Sequence, residues 1–386
     1  MKKHLTAVLS VLLLTACAGE SAVSERSTAV PETTGTEDAF SSSDPDSSLT
    51  ADLTDGYDPF ASNGSDDSDV IGSFTYGVEW KDGKELVLDY APTVSFRYYT
   101  ENGANAIDFG LLLFVNGFRQ PYRTEQEPVD QILHIFDVEQ NERKVQTIEF
   151  EPIVGEFGET LSVEIISMFH PSFAPTEKTR HSDLIFNHRI SSLFPSDLTV
   201  TEKTGLKEPA VCGAYSATEI SEEMRRKYDK MDSTGGFSGE NELENTVFLE
   251  ILKNDVLLTP ADLSELKYDQ TPFNQNDSVT VCMYGGGKPC TYRVSLYLDH
   301  ELVKGAFDGA DYIDMTPSRD TICKKVIDPQ KLNVTPDAYH HLYLIAIPFY
   351  TDKNYMERLA LKSTSAVLSF SEQAISSISS QDIAPR

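Results

Sequence analysis

The chain has 386 residues, 40% apolar and 24% charged, which is long for one ordinary domain and suits two once the ends are set aside. Its 32 Lys and Arg against 61 Asp and Glu give a formal net charge of −29. Nucleic acid is held through clustered cations, so a chain this acidic is not expected to take it as a partner. Collagen, coiled-coil and multi-span membrane classes fail on composition.

Lys2 and Lys3 form a positive start, Leu5 to Leu14 (LTAVLSVLLL) an apolar run, and Leu14-Thr15-Ala16-Cys17 closes it. A run of about ten residues is roughly half of what a bilayer core requires, which disfavours a permanent transmembrane helix. The stretch resembles the lipobox of bacterial lipoproteins: Leu, two small residues, then Cys, behind a charged start. The resemblance implies a signal peptide over residues 1–16, export, diacylglycerol transfer to the Cys17 thiol, and cleavage between Ala16 and Cys17. Acyl chains in the bilayer then hold the molecule outside the cytoplasm, each buried methylene contributing about 0.8 kcal/mol. Ala18, not Asp, follows the cysteine.

From Ala18 to Val70 there are thirteen acidic residues against one basic, Arg26. Ser, Thr, Gly and Pro supply most of the remainder. Such a segment cannot bury enough surface to offset its chain entropy, so 17–70 is expected to be a disordered, self-repelling tether. Asp66-Asp67-Ser68-Asp69 lacks the spacing and distal Glu of a calcium loop and reads as solvated charge.

Past Val70 the pattern becomes strand-like. Trp80 and Asp82-Gly83 mark a hairpin, Val94 to Tyr99 and Leu111 to Val115 follow, and Asn116-Gly117 makes a second tight turn. Ile132 to Phe136, Val145 to Phe150 and Leu161 to Phe169 complete the set. Short strands separated by turn residues predict an antiparallel sandwich.

The second half repeats this order. Val247 to Leu252, the turn Asn254-Asp255 and Val256 to Leu258 answer to the first hairpin. Val279 to Tyr284 answers to Val94 to Tyr99, and Tyr292 to Leu298 with Asp299-His300 answers to the strand ending at Asn116-Gly117. Pro171 lies 19 residues after Pro152, and Pro348 lies 19 after Pro329. A strand precedes the later proline each time, ending at Phe169 and within Tyr339 to Pro348. Matched elements in matched order predict a duplicated unit.

The expected architecture is therefore all-β: two tandem immunoglobulin-like antiparallel β-sandwiches, 71–205 and 246–370, joined by a linker over 206–245. Ser216-Ala217-Thr218-Glu219 reads as a capping box and predicts a short linker helix over 216–231. Residues 371–386 form a Ser-rich loose tail.

Candidate chemistry is sparse. Cys282 and Cys290 flank a Gly-rich hairpin tip and are candidates for a cross-strand disulfide, leaving Cys212 with Cys323 as the remaining pair. No C-x-x-C occurs, which argues against structural zinc. Gly285-Gly286-Gly287-Lys288 lacks phosphate-loop spacing, and Pro289 stands where a helix would start. His300-Glu301 begins like H-E-x-x-H, but Lys304 takes the second ligand position. His340-His341 point to opposite faces of a strand. His170, His181 and His188 read as surface or turn residues, so no metal ligand set emerges. Asp308, Asp311 and Asp314 offer at most a weak calcium site and read better as a solvated loop.

Trp80, Tyr98, Tyr99, Phe118 and Tyr122 are the aromatic candidates for ligand contact. Of Tyr98 and Tyr99, alternation predicts one in the core and one exposed. With no nucleophile–base pair legible from spacing, the expectation is a non-enzymatic, lipid-anchored surface module that binds a glycan, wall polymer or envelope protein. A structural or assembly component of an envelope complex is the alternative. An extracellular hydrolase comes third.

Overall fold

The computed structural model describes residues 74–79, 88–89, 93–102, 107–179, 183, 187–193, 196–200, 208–229, 243, 246–257, 272–286, 290–348, 360–363 and 366–370. The signal peptide, Cys17, the acidic tether, Trp80, the Asp82-Gly83 turn, His181 and the tail over 371–386 lie outside them.

The first half contributes β1 (Phe74–Glu79), β2 (Leu88–Asp89), β3 (Val94–Asn102), β4 (Ile107–Val115), β5 (Phe118–Arg119) and β6 (Arg123–Thr124). β7 (His134–Val138), β8 (Arg143–Phe150), β9 (Thr160–Phe169), β10 (Ile190–Ser192) and β11 (Ser196–Thr199) follow. One four-stranded sheet runs β1-β3-β8-β6. Facing it is a seven-stranded sheet, β2-β11-β9-β4-β5, with β10 also on β9 and β7 on β4. Consecutive strands that alternate between two sheets in this way make an immunoglobulin-like sandwich. Its core holds Phe96, Tyr98, Phe109, Leu111, Leu113, Ile148 and Phe150.

The second half contributes β12 (Val211–Cys212), β13 (Ser216–Glu219), helix α1 (Glu222–Asp229), β14 (Val247–Lys253), β15 (Val279–Gly285) and β16 (Tyr292–Leu298). β17 (Glu301–Leu302), β18 (Tyr312–Met315), β19 (Thr321–Ile327), β20 (His340–Pro348), β21 (Leu361–Lys362) and β22 (Ala366–Leu368) complete it. Its sheets run β13-β19-β15-β14 and β12-β18-β16-β20-β21, with β17 also on β16 and β22 on β20. β14, β15 and β19 thus take the places of β1, β3 and β8. β18, β16 and β20 take those of β7, β4 and β9. Even the parallel pairing of β2 on β11, Leu198 to Leu88, recurs as a single bridge from Phe273 to Leu368. The turns Asn116-Gly117 (φ 50° and 74°) and Asp299-His300 (φ 47° and 69°) share the left-handed backbone of a tight hairpin.

Two expected elements differ. Ser216 does not start a helix: residues 216–219 form β13 and pair with β19, and α1 begins after Ser221, whose Oγ accepts the Met224 N–H at 3.1 Å. An edge of the outer sheet takes the segment, and the next serine takes the cap. Asn254-Asp255 makes its turn, but Val256 and Leu257 form no strand.

The central strands of the seven-stranded sheets have no solvent face. Leu112 and Phe114 of β4 and Ile166 and Met168 of β9 pack with Tyr297 of β16 and Tyr343, Ile345 and Ile347 of β20. Both faces of β16 and β20 are covered, so every residue of these strands is buried. Each large side chain placed there gains about 1.5–3 kcal/mol over exposure. The result is a four-layer stack, with a four-stranded sheet on each outside.

Two arginines clasp the halves reciprocally. Arg119, just after the first hairpin, donates from Nη2 to the His300 carbonyl at 2.8 Å and lies over the Tyr297 ring. Arg293 donates from Nη1 to the Asn116 carbonyl at 2.9 Å, lies over Phe118, and holds Asp314 through two bonds of 3.0 Å. Gly117 serves this clasp: a Cβ there would sit 2.9 Å from Arg293 Cβ, at a φ that already favours glycine.

Candidate functional site

At one end of the junction lies a cleft of about 250 Å³, lined by Pro171, Phe173, Ala174, Pro175, Asp299, His300, Tyr339, His340 and His341. Its walls come from both halves: the segment after β9, the β16–β17 turn and the start of β20. Asp299 organises the floor. Its Oδ1 accepts the His341 N–H at 2.8 Å, its Oδ2 pairs with His340 Nδ1, and its own N–H donates to the His341 carbonyl at 2.9 Å.

Three imidazoles gather beside this cleft. His188, held by its N–H on the Phe169 carbonyl at 2.8 Å, comes from the first half. His300 comes from the second hairpin turn and His341 from β20. The side chains of His188 and His341 are buried and that of His300 is nearly so. His188 Nδ1 lies 2.9 Å from His341 Nε2. His188 Nε2 and His300 Nε2 lie 3.2 Å and 2.7 Å from one acceptor, the Pro171 carbonyl. His300 Nδ1 meets the Tyr343 hydroxyl at 2.9 Å. Among the described residues these three form the one group of histidine, cysteine or carboxylate side chains close enough to share an ion, with ligand atoms within 4.8 Å of one another.

The surroundings keep the rings neutral. Burial, reinforced by His300 and Lys362, pulls His188 down to about 3. Burial also lowers His341 far below the usual imidazole range, with His188 and Lys362 adding to it, and lowers His300. Lys362 on β21, its ammonium over the Tyr343 ring, is brought down to about 7 by burial. Neutral imidazoles are the form that ligates metals and accepts hydrogen bonds.

The residues singled out from sequence fall elsewhere. Tyr98 and Tyr99 are both buried: Tyr98 meets Ser167 Oγ at 2.5 Å in the core, and Tyr99 lies against Gly77 with Arg143 over its ring. Alternation failed at Tyr99 because the glycine opposite leaves room for a ring on the outer face. Phe118 is enclosed by Tyr312 and Arg293, and Tyr122 donates to the Leu111 carbonyl at 2.6 Å. None of the four is an exposed ligand platform.

Cys212, Cys282, Cys290 and Cys323 are thiols, and the two anticipated disulfides are not formed. Cys282 faces the layer beneath α1 with Ile220 and Met224, whereas Cys290 and Cys323 face the core between the sheets. The β15 strand that carries Cys282 points it away from Cys290. Asp308, Asp311 and Asp314 do not converge: Asp308 pairs with Lys325, Asp311 accepts the Gly305 N–H at 2.7 Å, and Asp314 holds Arg293.

Sequence reasoning missed the histidine group because its members are far apart in the chain. Two signals were available. His300 occupies the turn position that Gly117 takes in the first half, and His341, Tyr343, Ile345 and Ile347 are one face of a strand. Only the stacking of the two halves turns that face toward His188.

No family model matches the chain, and no curated protein matches it. Several solved structures resemble it in part. A chaperone–tip adhesion subunit pre-assembly complex of archaic chaperone-usher Csu pili from Acinetobacter baumannii is 11% identical, covering 76% of this chain and 98% of that one, with a TM-score of 0.18. A protein of unknown function from Porphyromonas gingivalis is 8% identical, covering 78% and 98%, at 0.21. The Salmonella enterica SafA pilin with its SafB chaperone is 8% identical, covering 75% and 95%, at 0.20. At these scores the likeness carries no argument about activity or partners, and the immunoglobulin-like class rests on the chain's own strand order. No helix among the described residues is long and apolar enough to cross a membrane.

Proposed function

We propose that this chain is an exported lipoprotein, anchored through Cys17, that acts outside the cytoplasm as a rigid, non-catalytic module engaging a protein of the envelope. The observation that carries this reading is the fate of the aromatic side chains. A glycan or wall-polymer platform stacks sugars on exposed rings, yet Tyr98, Tyr99, Phe118 and Tyr122 are spent on cores and the junction. The large apolar residues exposed among those described, Val129, Ile135, Phe157, Val256 and Val326, include one aromatic. The stacked halves suit a stiff arm at the end of a tether, presenting polar surfaces and sheet edges to another protein.

The test is recovery of the tagged full chain from detergent-solubilised membranes after mild cross-linking. Defined protein partners are expected. Retention on wall polymer or glycan without any protein partner would overturn the reading. Cys17→Ser is expected to shift the chain from the membrane fraction to the soluble one and to abolish incorporation of labelled fatty acid. Unchanged membrane association would refute the anchor.

A further inference from the structure

We propose that His188, His300 and His341 form a transition-metal site that pins the two sandwiches together, taking zinc or copper. The claim goes beyond partner binding and stands or falls separately from it.

The hydrogen bonds fix which nitrogens are offered. The Pro171 carbonyl can only accept, so His188 Nε2 and His300 Nε2, at 3.2 Å and 2.7 Å from it, carry the protons. Both rings therefore carry an Nδ1 lone pair, that of His188 taken by His341 Nε2 and that of His300 by the Tyr343 hydroxyl at 2.9 Å, and an ion displaces both hydrogen bonds as it binds. This is the arrangement of metal-ligating histidines, whose second nitrogen donates to a backbone carbonyl and so fixes tautomer and ring angle. His341 supplies the third nitrogen. Its Nε2 donates to His188 Nδ1 at 2.9 Å when no ion is bound, and an ion held between the two nitrogens takes the place of that proton.

Ring spacing agrees for two of the three pairs. Imidazoles bound in plane at about 2.0–2.1 Å around a tetrahedral ion have ring centres about 5 Å apart. His188–His300 and His300–His341 stand at 4.9 Å and 5.7 Å. His188–His341, at 3.8 Å, must open by about 1 Å as the ion enters.

The donor set selects the ion. Three imidazoles with no carboxylate in the ligand set do not suit calcium or magnesium, which take oxygen donors, but do suit zinc and copper. The charged and titratable groups facing the cluster are Lys362, Arg119, His170, Asp299 and Tyr343. The cleft reaches His300 and His341, which gives the ion an entry path and a fourth position for water. Because His188 belongs to one sandwich and the other two ligands belong to its neighbour, the ion cross-links them.

The experiment uses the full chain in detergent, stripped with chelator and titrated with zinc alone and with copper alone. Bound metal is counted by mass spectrometry and thermal unfolding is followed by circular dichroism. About one ion per chain is expected, with a raised Tm. His300→Ala, at the mouth of the cleft, should weaken binding at least tenfold and remove the Tm increase while leaving the unliganded far-ultraviolet spectrum unchanged. His341→Ala, if it folds, should do the same. Failure of the wild-type chain to retain either metal, or equal retention by His300→Ala, would overturn the site.

Discussion

Glu250 shows what a single half-buried acid does to this fold. It stands on β14 opposite Cys282, with Lys324 next across the sheet and Tyr284 donating to its carboxylate at 3.0 Å. Burial pushes its carboxyl up to about 7 from an ordinary 4.5. The folded chain therefore keeps a proton that the unfolded chain releases. Stability from this group is fully present below pH 4.5 and is lost as the pH rises through about 7. Glu250→Gln keeps an acceptor for Tyr284 and cannot ionise. Urea unfolding should show the variant more stable by about 1–2 kcal/mol at pH 8 and indistinguishable from wild type at pH 4. An equal effect at both values would mean that the carboxyl ionises in the folded chain as it does in the unfolded one.

Helix α1 depends on Ser221 at the scale of one element. That side chain takes the Met224 N–H, and Glu222 and Glu223 occupy the first turn, where acidic charge complements the helix dipole. Ser221→Ala should cost about 1 kcal/mol. It should also speed hydrogen exchange in the layer of Ile220, Met224 and Tyr284 beneath the helix, with the stacked sheets unaffected. The same stretch shows where sequence stops being decisive. Ser216 carries a sound capping signal, but β19 needed an edge partner, and pairing across the chain outweighed local propensity. The strands themselves were legible, because turn residues at Asn116-Gly117 and Asp299-His300 punctuate them in both halves. Which strands had two buried faces was not. β16 and β20 read as strands of a sandwich, and a strand's sequence does not say what covers its second side. The histidine group was hidden for the same reason, since His188 and His341 meet only across sheets from different halves.

Coupling between the sandwiches is the property of the whole molecule that this packing predicts. Eight large side chains, four from each half, are buried at the junction, and each gains about 1.5–3 kcal/mol. A lone domain is stable by only about 5–15 kcal/mol, so neither half should unfold while the other keeps its exposed junction face intact. Calorimetry on the full chain should therefore record one transition for both sandwiches. Ile345→Asp is the sharpest challenge to that expectation. Ile345 is fully buried on the face of β20 that meets the first half, and a carboxylate there is taken out of water with Lys362, opposite it on β21, as its nearby cation. Its desolvation costs several kcal/mol and falls on the junction, not on either core between sheets. The variant should separate the single peak into two. Arg119 and Arg293, each docked on the other half's turn, should then no longer hold the halves in register. If wild type already melts in two steps, the stacked sheets contribute little binding energy and the chain behaves as independent beads on its tether. A rigid arm needs the single transition, because only a coupled stack transmits the position of one sandwich to the other.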